Sequence, residues 1–133
     1  GVIFKKLNMN LETSLIVGFI LHLVGDYLLQ NDWMAAEKTK NIGVAFAHAS
    51  IYSMPFWLVC ASWWWMLIFV THFFIDRYRL AQYWIRLVNW KWDGDNFGYS
   101  EDKPKWMSVW LLIIVDNTLH IIFNSTAIYL SFN

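Results

Sequence analysis

LETSLIVGFILHLVGDYLLQ occupies residues 11–30 and is the stretch that decides the fold, because it is almost wholly apolar and yet contains His22 and Asp26. A helix needs about 20 mainly apolar residues to cross the hydrocarbon layer of a membrane. Four segments of the chain approach this length. They are Leu11–Gln30, Ile42–Ala61, Trp63–Leu80 and Trp106–Phe132. We therefore predict an all-α fold, an integral membrane four-helix up-down bundle in which residues 1–133 form one domain.

The composition supports a membrane protein and excludes one class of partner. The chain is 58% hydrophobic and 20% aromatic, and its charged residues, 15% of the total, fall mostly between the apolar segments. A water-soluble core of this size could not bury so much apolar surface. The formal net charge is zero. Nucleic acid is therefore not expected as a partner, since its binding depends on a surplus of basic residues.

Local signals refine the four segments. Asn10 is a candidate N-cap for the first helix, and Pro104 suits the first turn of the fourth. We predict that Pro55 kinks the second helix without ending it. A tight hairpin around Ser62 should join the second and third helices, and Cys60 is expected to be a buried apolar residue.

The segment between the third and fourth helices mixes cations with aromatic residues. Its members are Arg77, Arg79, Arg86, Lys91, Tyr83, Trp84, Trp90 and Trp92. This pattern predicts an amphipathic helix lying at the membrane surface.

Basic residues predict the orientation in the membrane. The loops after the first and third helices hold eight of the ten Lys and Arg residues, and Lys5 and Lys6 are the two on the opposite side. By the positive-inside rule, these two loops should be cytoplasmic and both termini should lie outside.

All four histidines lie within the predicted spans, and three of them have an aspartate one helical turn away. The pairs are His22/Asp26, His72/Asp76 and Asp116/His120, while His48 has no such partner. Ionisable side chains inside a membrane cost a few kcal/mol unless they are paired or face a polar cavity. In an up-down bundle, the three pairs and His48 should converge in the half of the membrane nearest the cytoplasm.

Imidazole and carboxylate ligands together suit a divalent metal. We predict one or two ions, zinc in the first place and manganese or iron as alternatives, held by His22, Asp26, His48, His72, Asp76, Asp116 and His120. The carboxylates of Asp26, Asp76 and Asp116 are the candidate catalytic groups. Gln30, Tyr52 and Asn124 are candidates to support the ligands by hydrogen bonds. Lys38, Arg77 and Arg79 are candidates to contact a substrate headgroup, although cations in such loops also serve simply to set the topology.

A simpler interpretation of the pairs stays open. His–Asp hydrogen bonds can hold membrane helices together at about 0.6–2 kcal/mol each, with no metal present. Three pairs and a further histidine at one depth are more than packing requires, which favours the metal site.

The run His22-Leu-Val-Gly-Asp26-Tyr-Leu-Leu-Gln30, followed by Asp32-Trp33 and Lys38, resembles the signature of an uncharacterised family of small bacterial and phage membrane proteins. His48, His72, Asp76, Asp116 and His120 resemble later motifs of that family in the same order. The resemblance implies a bacterial inner-membrane protein but no activity, since the family is a domain of unknown function. A looser similarity links the chain to membrane-bound metal-dependent hydrolases.

These observations lead to two functional hypotheses. The first is a metal-dependent hydrolase that acts on a lipid-borne or phosphate ester at the cytoplasmic face. The second is a non-enzymatic membrane effector, or a metal- or proton-binding protein, whose His and Asp pairs are packing contacts. Expected partners are membrane lipids and either a second copy of the chain or another membrane protein.

Overall fold

The computed structural model describes residues 8–133, so Lys5 and Lys6, which entered the prediction of orientation, lie outside the described residues. The described part is all-helical, as predicted, and contains no strand. Its α-helices are α1 (Leu11–Leu23), α2 (Asp32–Glu37), α3 (Ile42–Ser53), α4 (Trp65–Arg77), α5 (Ala81–Asn89) and α6 (Lys105–Ser131). A π-helical turn, Val24–Leu28, continues α1, and a 3-10 segment, Met54–Leu58, continues α3.

The helices differ in length from the prediction of four membrane-spanning segments. In the described part of the chain, two helices are long and apolar enough to cross a membrane, namely Leu11–Leu28 and α6. The apolar helix Ile42–Leu58 is shorter, and α4 has 13 residues. The third predicted segment is shorter than expected because Trp63 and Trp64 belong to the preceding turn and Arg79 adopts a left-handed conformation with φ of 46°.

The two prolines and Asn10 explain several helix boundaries. Asn10 caps α1 as predicted, because its side chain accepts a hydrogen bond of 2.8 Å from the Thr13 amide. The prediction for Pro55 is wrong in part: α3 ends at Ser53 and the chain continues in 3-10 form. Proline lacks the amide proton that the α-helical bond requires. Pro104 occupies the N-cap position of α6 and so lies one residue before the predicted first turn.

The core lies where α3 and α4 pack against each other and where α6 packs against α1 and α4. Its fully buried members are Tyr52, Phe56, Val59, Cys60, Ile68, Ala127 and Ile128. The predicted burial of Cys60 is thus confirmed. Around Ser62 the chain turns sharply, with the Trp65 amide donating to the Ser62 carbonyl at 3.0 Å. This turn makes α3 and α4 neighbours.

A short helix, α5, lies between α4 and α6, as predicted for this segment. It buries Ala81 and Ile85 and packs against α6. Its other apolar side chains, including Trp84 and Val88, are exposed. The connection from α4 to α5 places Arg79 beside the end of the bundle that holds the polar cluster described next.

Candidate metal centre

Six of the seven predicted ligands are buried inside the bundle. They are His22, Asp26, His48, His72, Asp76 and His120, each at most 6% exposed. The seventh, Asp116, lies at the edge of this cluster with 27% of its side chain exposed. Helices α1, α3, α4 and α6 each contribute, and the Asp26 side chain comes from the π-helical turn. The structure therefore brings the predicted residues together.

Four of these side chains direct one atom each to a common point. His48 Nε2 lies 3.2 Å from both Asp26 Oδ1 and Asp76 Oδ2. His72 Nε2 lies 3.4 Å and 3.1 Å from the same two oxygens, and the two imidazole nitrogens are 3.0 Å apart. Five of the six separations among these atoms thus lie between 3.0 and 3.4 Å, and all four atoms lie within 4.8 Å of one another. Two ligands at tetrahedral angles on one Zn²⁺, with bonds of ~2.0–2.2 Å, lie about 3.3–3.6 Å apart. The four atoms have the spacing of a metal-ligand shell.

Hydrogen bonding alone accounts poorly for these five short contacts. Each Nε2 carries at most one proton, so the two imidazoles can donate at most two linear hydrogen bonds within the group. If both nitrogens are protonated, their 3.0 Å separation brings two donors together. Each of the four atoms could instead donate a lone pair to a cation bound between them.

A second, looser group adjoins the first and consists of Asp26, Asp116 and His120. His120 Nε2 lies 3.3 Å from Asp116 Oδ2 and 4.0 Å from Asp26 Oδ2. It also lies 3.0 Å from Asp76 Oδ1. Asp26 thus belongs to both groups, with Oδ1 in the contacts of the first and Oδ2 in those of the second, so its carboxylate could be shared if both groups held an ion.

His22 lies beside the second group, with Nδ1 3.8 Å from Asp26 Oδ2, but both of its ring nitrogens have closer hydrogen-bond partners. The Tyr52 hydroxyl accepts a hydrogen bond from Asn124 at 2.7 Å and can then donate to His22 Nδ1, also at 2.7 Å. His22 Nε2 is left to donate to Asn117 Oδ1 at 2.7 Å. Both ring nitrogens are therefore engaged, and the histidine supports its neighbours instead of facing the common point.

Asn117 and Tyr27 take part in this network, although the sequence prediction did not single them out. Asn117 Nδ2 donates to the Tyr27 hydroxyl at 2.6 Å, so the network runs from the buried core to a half-exposed tyrosine. An amide next to Asp116 within an apolar helix was a signal that could have identified Asn117.

The three predicted supporting residues have different contacts. The Tyr52 ring stacks on the His72 imidazole, with centroids 3.6 Å apart and planes inclined by 13°. Asn124 holds the Tyr52 hydroxyl, as described above. Gln30 donates to the backbone carbonyl of Asp26 at 3.2 Å and so contacts the main chain of a candidate ligand. Tyr52 is thus the residue that orients a candidate ligand directly.

Lys38 reaches further into the cluster than its prediction as a headgroup contact implied. It is the C-cap of α2, a helix whose start is set by Asn31 accepting from the Met34 amide at 2.9 Å. Its ammonium group donates to Asp76 Oδ2 at 2.8 Å. Burial alone would lower the pKa of Lys38, but the carboxylates of Asp76 and Asp26 outweigh this effect and raise it. Lys38 is therefore a charged member of the cluster.

The other two cations predicted to contact a substrate headgroup, Arg77 and Arg79, have different contacts. Arg77 donates to the backbone carbonyl of Thr39 at 2.6 Å and so ties α4 to the loop before α3. The guanidinium of Arg79 lies 5.6 Å from the centre of the Phe97 ring. Arg79 also lines a cavity of about 380 Å³ that reaches Asp26, Asp76 and Asp116. Of the two arginines, Arg79 is the one beside the candidate site's opening.

The family assignment follows from a comparison over almost the whole chain. Residues 14–132 match the model of a family described as "Protein of unknown function (DUF3307)". The chain belongs to this family. No curated protein and no solved structure matches the chain. Membership of the family supplies no activity, so the chemistry has to be argued from the site.

Proposed function

We propose that this member of the family is a membrane-embedded metal-dependent hydrolase that acts on a lipid-borne or phosphate ester at the cytoplasmic face. The observation that carries the proposal is the mutual approach of four ligand atoms, from Asp26, His48, His72 and Asp76, at separations that suit one divalent ion. Zinc is the ion we propose first, because this mixture of imidazole and carboxylate suits it, with manganese or iron as alternatives.

Exposed apolar surface supports the membrane setting. Of the residues in Leu11–Leu28, 28% are buried inside the bundle, and in the most apolar part of α6 the share is 11%. Core helices of soluble proteins are mostly buried, so the outward apolar sides of these two helices favour contact with lipid. We include in this proposal that the chain forms a four-helix membrane bundle, that the loops after α1 and α4 are cytoplasmic, and that the membrane is the bacterial inner membrane.

Charge balance also supports a bound cation. The carboxylates of Asp26, Asp76 and Asp116 carry three negative charges when ionised, and Lys38 offsets one of them. With neutral histidines, two negative charges remain in a largely buried place. One divalent ion brings the sum to zero, and a second would leave a positive site suited to an anionic substrate.

The two groups suit different roles. Four protein ligands fill the tetrahedral shell of a zinc ion, whereas catalytic zinc usually keeps a position open. Asp26, Asp116 and His120 offer three ligands, and both carboxylates line the cavity. An ion held there would supply Lewis-acid activation of water or of an ester oxygen. We assign the substrate-facing role to this second group and its Asp116.

A second candidate function rests on specific contacts. Lys38 already pairs with Asp76, and a proton shared among the histidines would balance Asp26 without a metal. Among the described residues, Nδ1 of His72 and Nδ1 of His120 have no hydrogen-bond partner. An imidazole that binds a metal through Nε2 must carry its proton on Nδ1, and such donors are normally paired. These facts favour a non-enzymatic effector whose cluster holds the helices together.

Metal analysis separates the two candidates. The protein, purified in mild detergent without added metal, is expected to retain one to two divalent ions per chain by elemental analysis. Asp116→Asn should lose about one ion and hydrolysis of umbelliferyl phosphate or umbelliferyl acyl esters, yet stay folded because Asp116 is partly exposed. The matched control is Asp102→Asn, which removes an exposed carboxylate outside the cluster. Folded, metal-free wild-type protein that stays metal-free on zinc addition would reject the hydrolase in favour of the effector.

A further inference from the structure

The cavity beside the cluster has one charged side and one apolar side. Its volume of about 380 Å³ is near the lower end of the ~300–1,000 Å³ typical of small-molecule sites. The space suits a headgroup and the first part of one hydrocarbon chain.

Two cations, together with the carboxylates of Asp26, Asp76 and Asp116 that form the candidate metal centre, border the charged side. Lys38 reaches the cavity from the end of α2, and Arg79 reaches it from the connection between α4 and α5. Arg79 and the neighbouring Phe97 both adopt positive φ angles, of 46° and 56°. Non-glycine residues rarely adopt this strained conformation, and such strain concentrates at functional sites. The backbone thus holds a guanidinium and an aromatic ring at the cavity wall.

The apolar side is a stripe on α6. Val109, Leu112 and Ile113 line the cavity, and their spacing places them on one face of the helix. Asp116 lies one turn further along the same face and also lines the cavity. An apolar group lying on this stripe therefore leads directly to the candidate substrate-facing carboxylate.

Gln30 adds an unused hydrogen-bonding group. Its Nε2 is occupied by the Asp26 carbonyl, but its Oε1 is buried and has no donor among residues 8–133. Gln30 also lines the cavity. A buried acceptor without a partner is destabilising, and a hydroxyl group of a ligand would satisfy it.

We propose that this cavity binds a phosphorylated amphiphile. Its phosphate lies between Lys38 and Arg79, its single apolar chain lies along Val109, Leu112 and Ile113, and a headgroup hydroxyl donates to Gln30. The inference rests on the proposed hydrolase and narrows its substrate to phosphate esters that carry a hydrocarbon chain. Free inorganic phosphate shares the charged contacts but leaves the apolar stripe uncovered.

Calorimetric binding to the zinc-loaded protein in detergent tests the inference. The probes are hexylphosphonate, methylphosphonate and hexanol, all below the concentration at which they aggregate. Hexylphosphonate is expected to bind at least about tenfold more tightly than methylphosphonate, since each buried methylene contributes about 0.8 kcal/mol. Hexanol should not bind measurably. Equal affinity for the two phosphonates would overturn the chain subsite and indicate a site for free phosphate.

Matched variants test the cation subsite. Arg79→Gln should weaken hexylphosphonate binding about 10- to 100-fold, as expected for the loss of one charged hydrogen bond, whereas Lys91→Gln, which removes a cation that does not line the cavity, should not. Leu112→Ser should remove the preference for hexylphosphonate and leave methylphosphonate affinity unchanged. Zinc content is measured on every sample. Unchanged binding in Arg79→Gln with zinc retained rejects this inference alone, while a wild type that takes up no zinc rejects the proposed hydrolase.

Discussion

Gly25→Ala tests whether the packing of Tyr52 sets the geometry of the cluster. A Cβ at Gly25 would lie 2.5 Å from Tyr52 Cδ2, with two more ring atoms at 3.1 and 3.2 Å. The ring cannot easily yield, because it is fully buried, stacks on His72 at 3.6 Å and is held by two hydrogen bonds of 2.7 Å. Gly25→Ala therefore forces the ring, and with it His72, to move.

The magnitude follows from these contacts. Overpacking costs about 1–3 kcal/mol, and each weakened hydroxyl bond costs about 1 kcal/mol. The higher helix propensity of alanine offsets at most about 1 kcal/mol of this loss in stability. With both hydroxyl bonds weakened, the net loss is about 2–4 kcal/mol, which at roughly 3–6 °C per kcal/mol corresponds to a fall in Tm of about 6–24 °C.

Gly18→Ala is the matched control in the same helix. Its Cβ would meet Ile128 Cδ1 at 2.5 Å, which is the far end of a flexible side chain. Repacking of that methyl group and the gain in helix propensity should roughly cancel, so the Tm should change by less than about 5 °C. Thermal unfolding followed by tryptophan fluorescence measures both variants, and elemental analysis measures their zinc. The reasoning fails if Gly25→Ala matches Gly18→Ala in both Tm and zinc content.

Three further predictions concern single side chains. Lys38→Met leaves the Asp76 carboxylate without its ammonium partner, so in chelator its free energy of unfolding should be about 3 kcal/mol below that of the wild type. Excess zinc should restore its stability, and an equal loss in both buffers would contradict this. Tyr52→Phe keeps the ring stacked on His72 but removes the hydroxyl that pairs with His22 Nδ1. Its free energy of unfolding should fall by about 1–3 kcal/mol while its zinc content is unchanged. Loss of zinc would contradict the assignment of the hydroxyl to a supporting role. Asn10→Ala removes the cap of α1 and should lower the Tm by about 3–6 °C with normal zinc binding, and an unchanged Tm would show that the cap does not contribute.

The sequence by itself predicted the all-helical fold and that the histidines and their neighbouring aspartates would lie in one region of it. Apolar runs separated by charges indicate helices, and an aspartate one turn from a histidine shares its helix face. Such pairs lie on α1 with its π-helical continuation, on α4 and on α6, and α6 packs against both α1 and α4. The cap at Asn10 and the burial of Cys60 were predicted for equally local reasons.

Tertiary packing decided which atoms face one another. His48 has no aspartate on its own helix face, yet its Nε2 lies within 3.2 Å of two carboxylates because α3 packs against α4 and the π-helical turn. His22, despite its neighbour Asp26, is turned to Tyr52 and Asn117. Helical spacing fixes the face on which a side chain lies, but the rotation and depth of each helix depend on how neighbouring side chains interlock.

The contact between Lys38 and Asp76 depends even more on long-range structure. Its position in a loop predicted a cation at the membrane surface, whereas the structure bonds its ammonium group to Asp76, 38 residues along the chain. A flexible four-carbon side chain can extend toward a buried carboxylate once the fold brings the two close. Local sequence determines which residues are charged and which helix face they occupy, whereas the distance between charges on different elements exists only after the elements have packed.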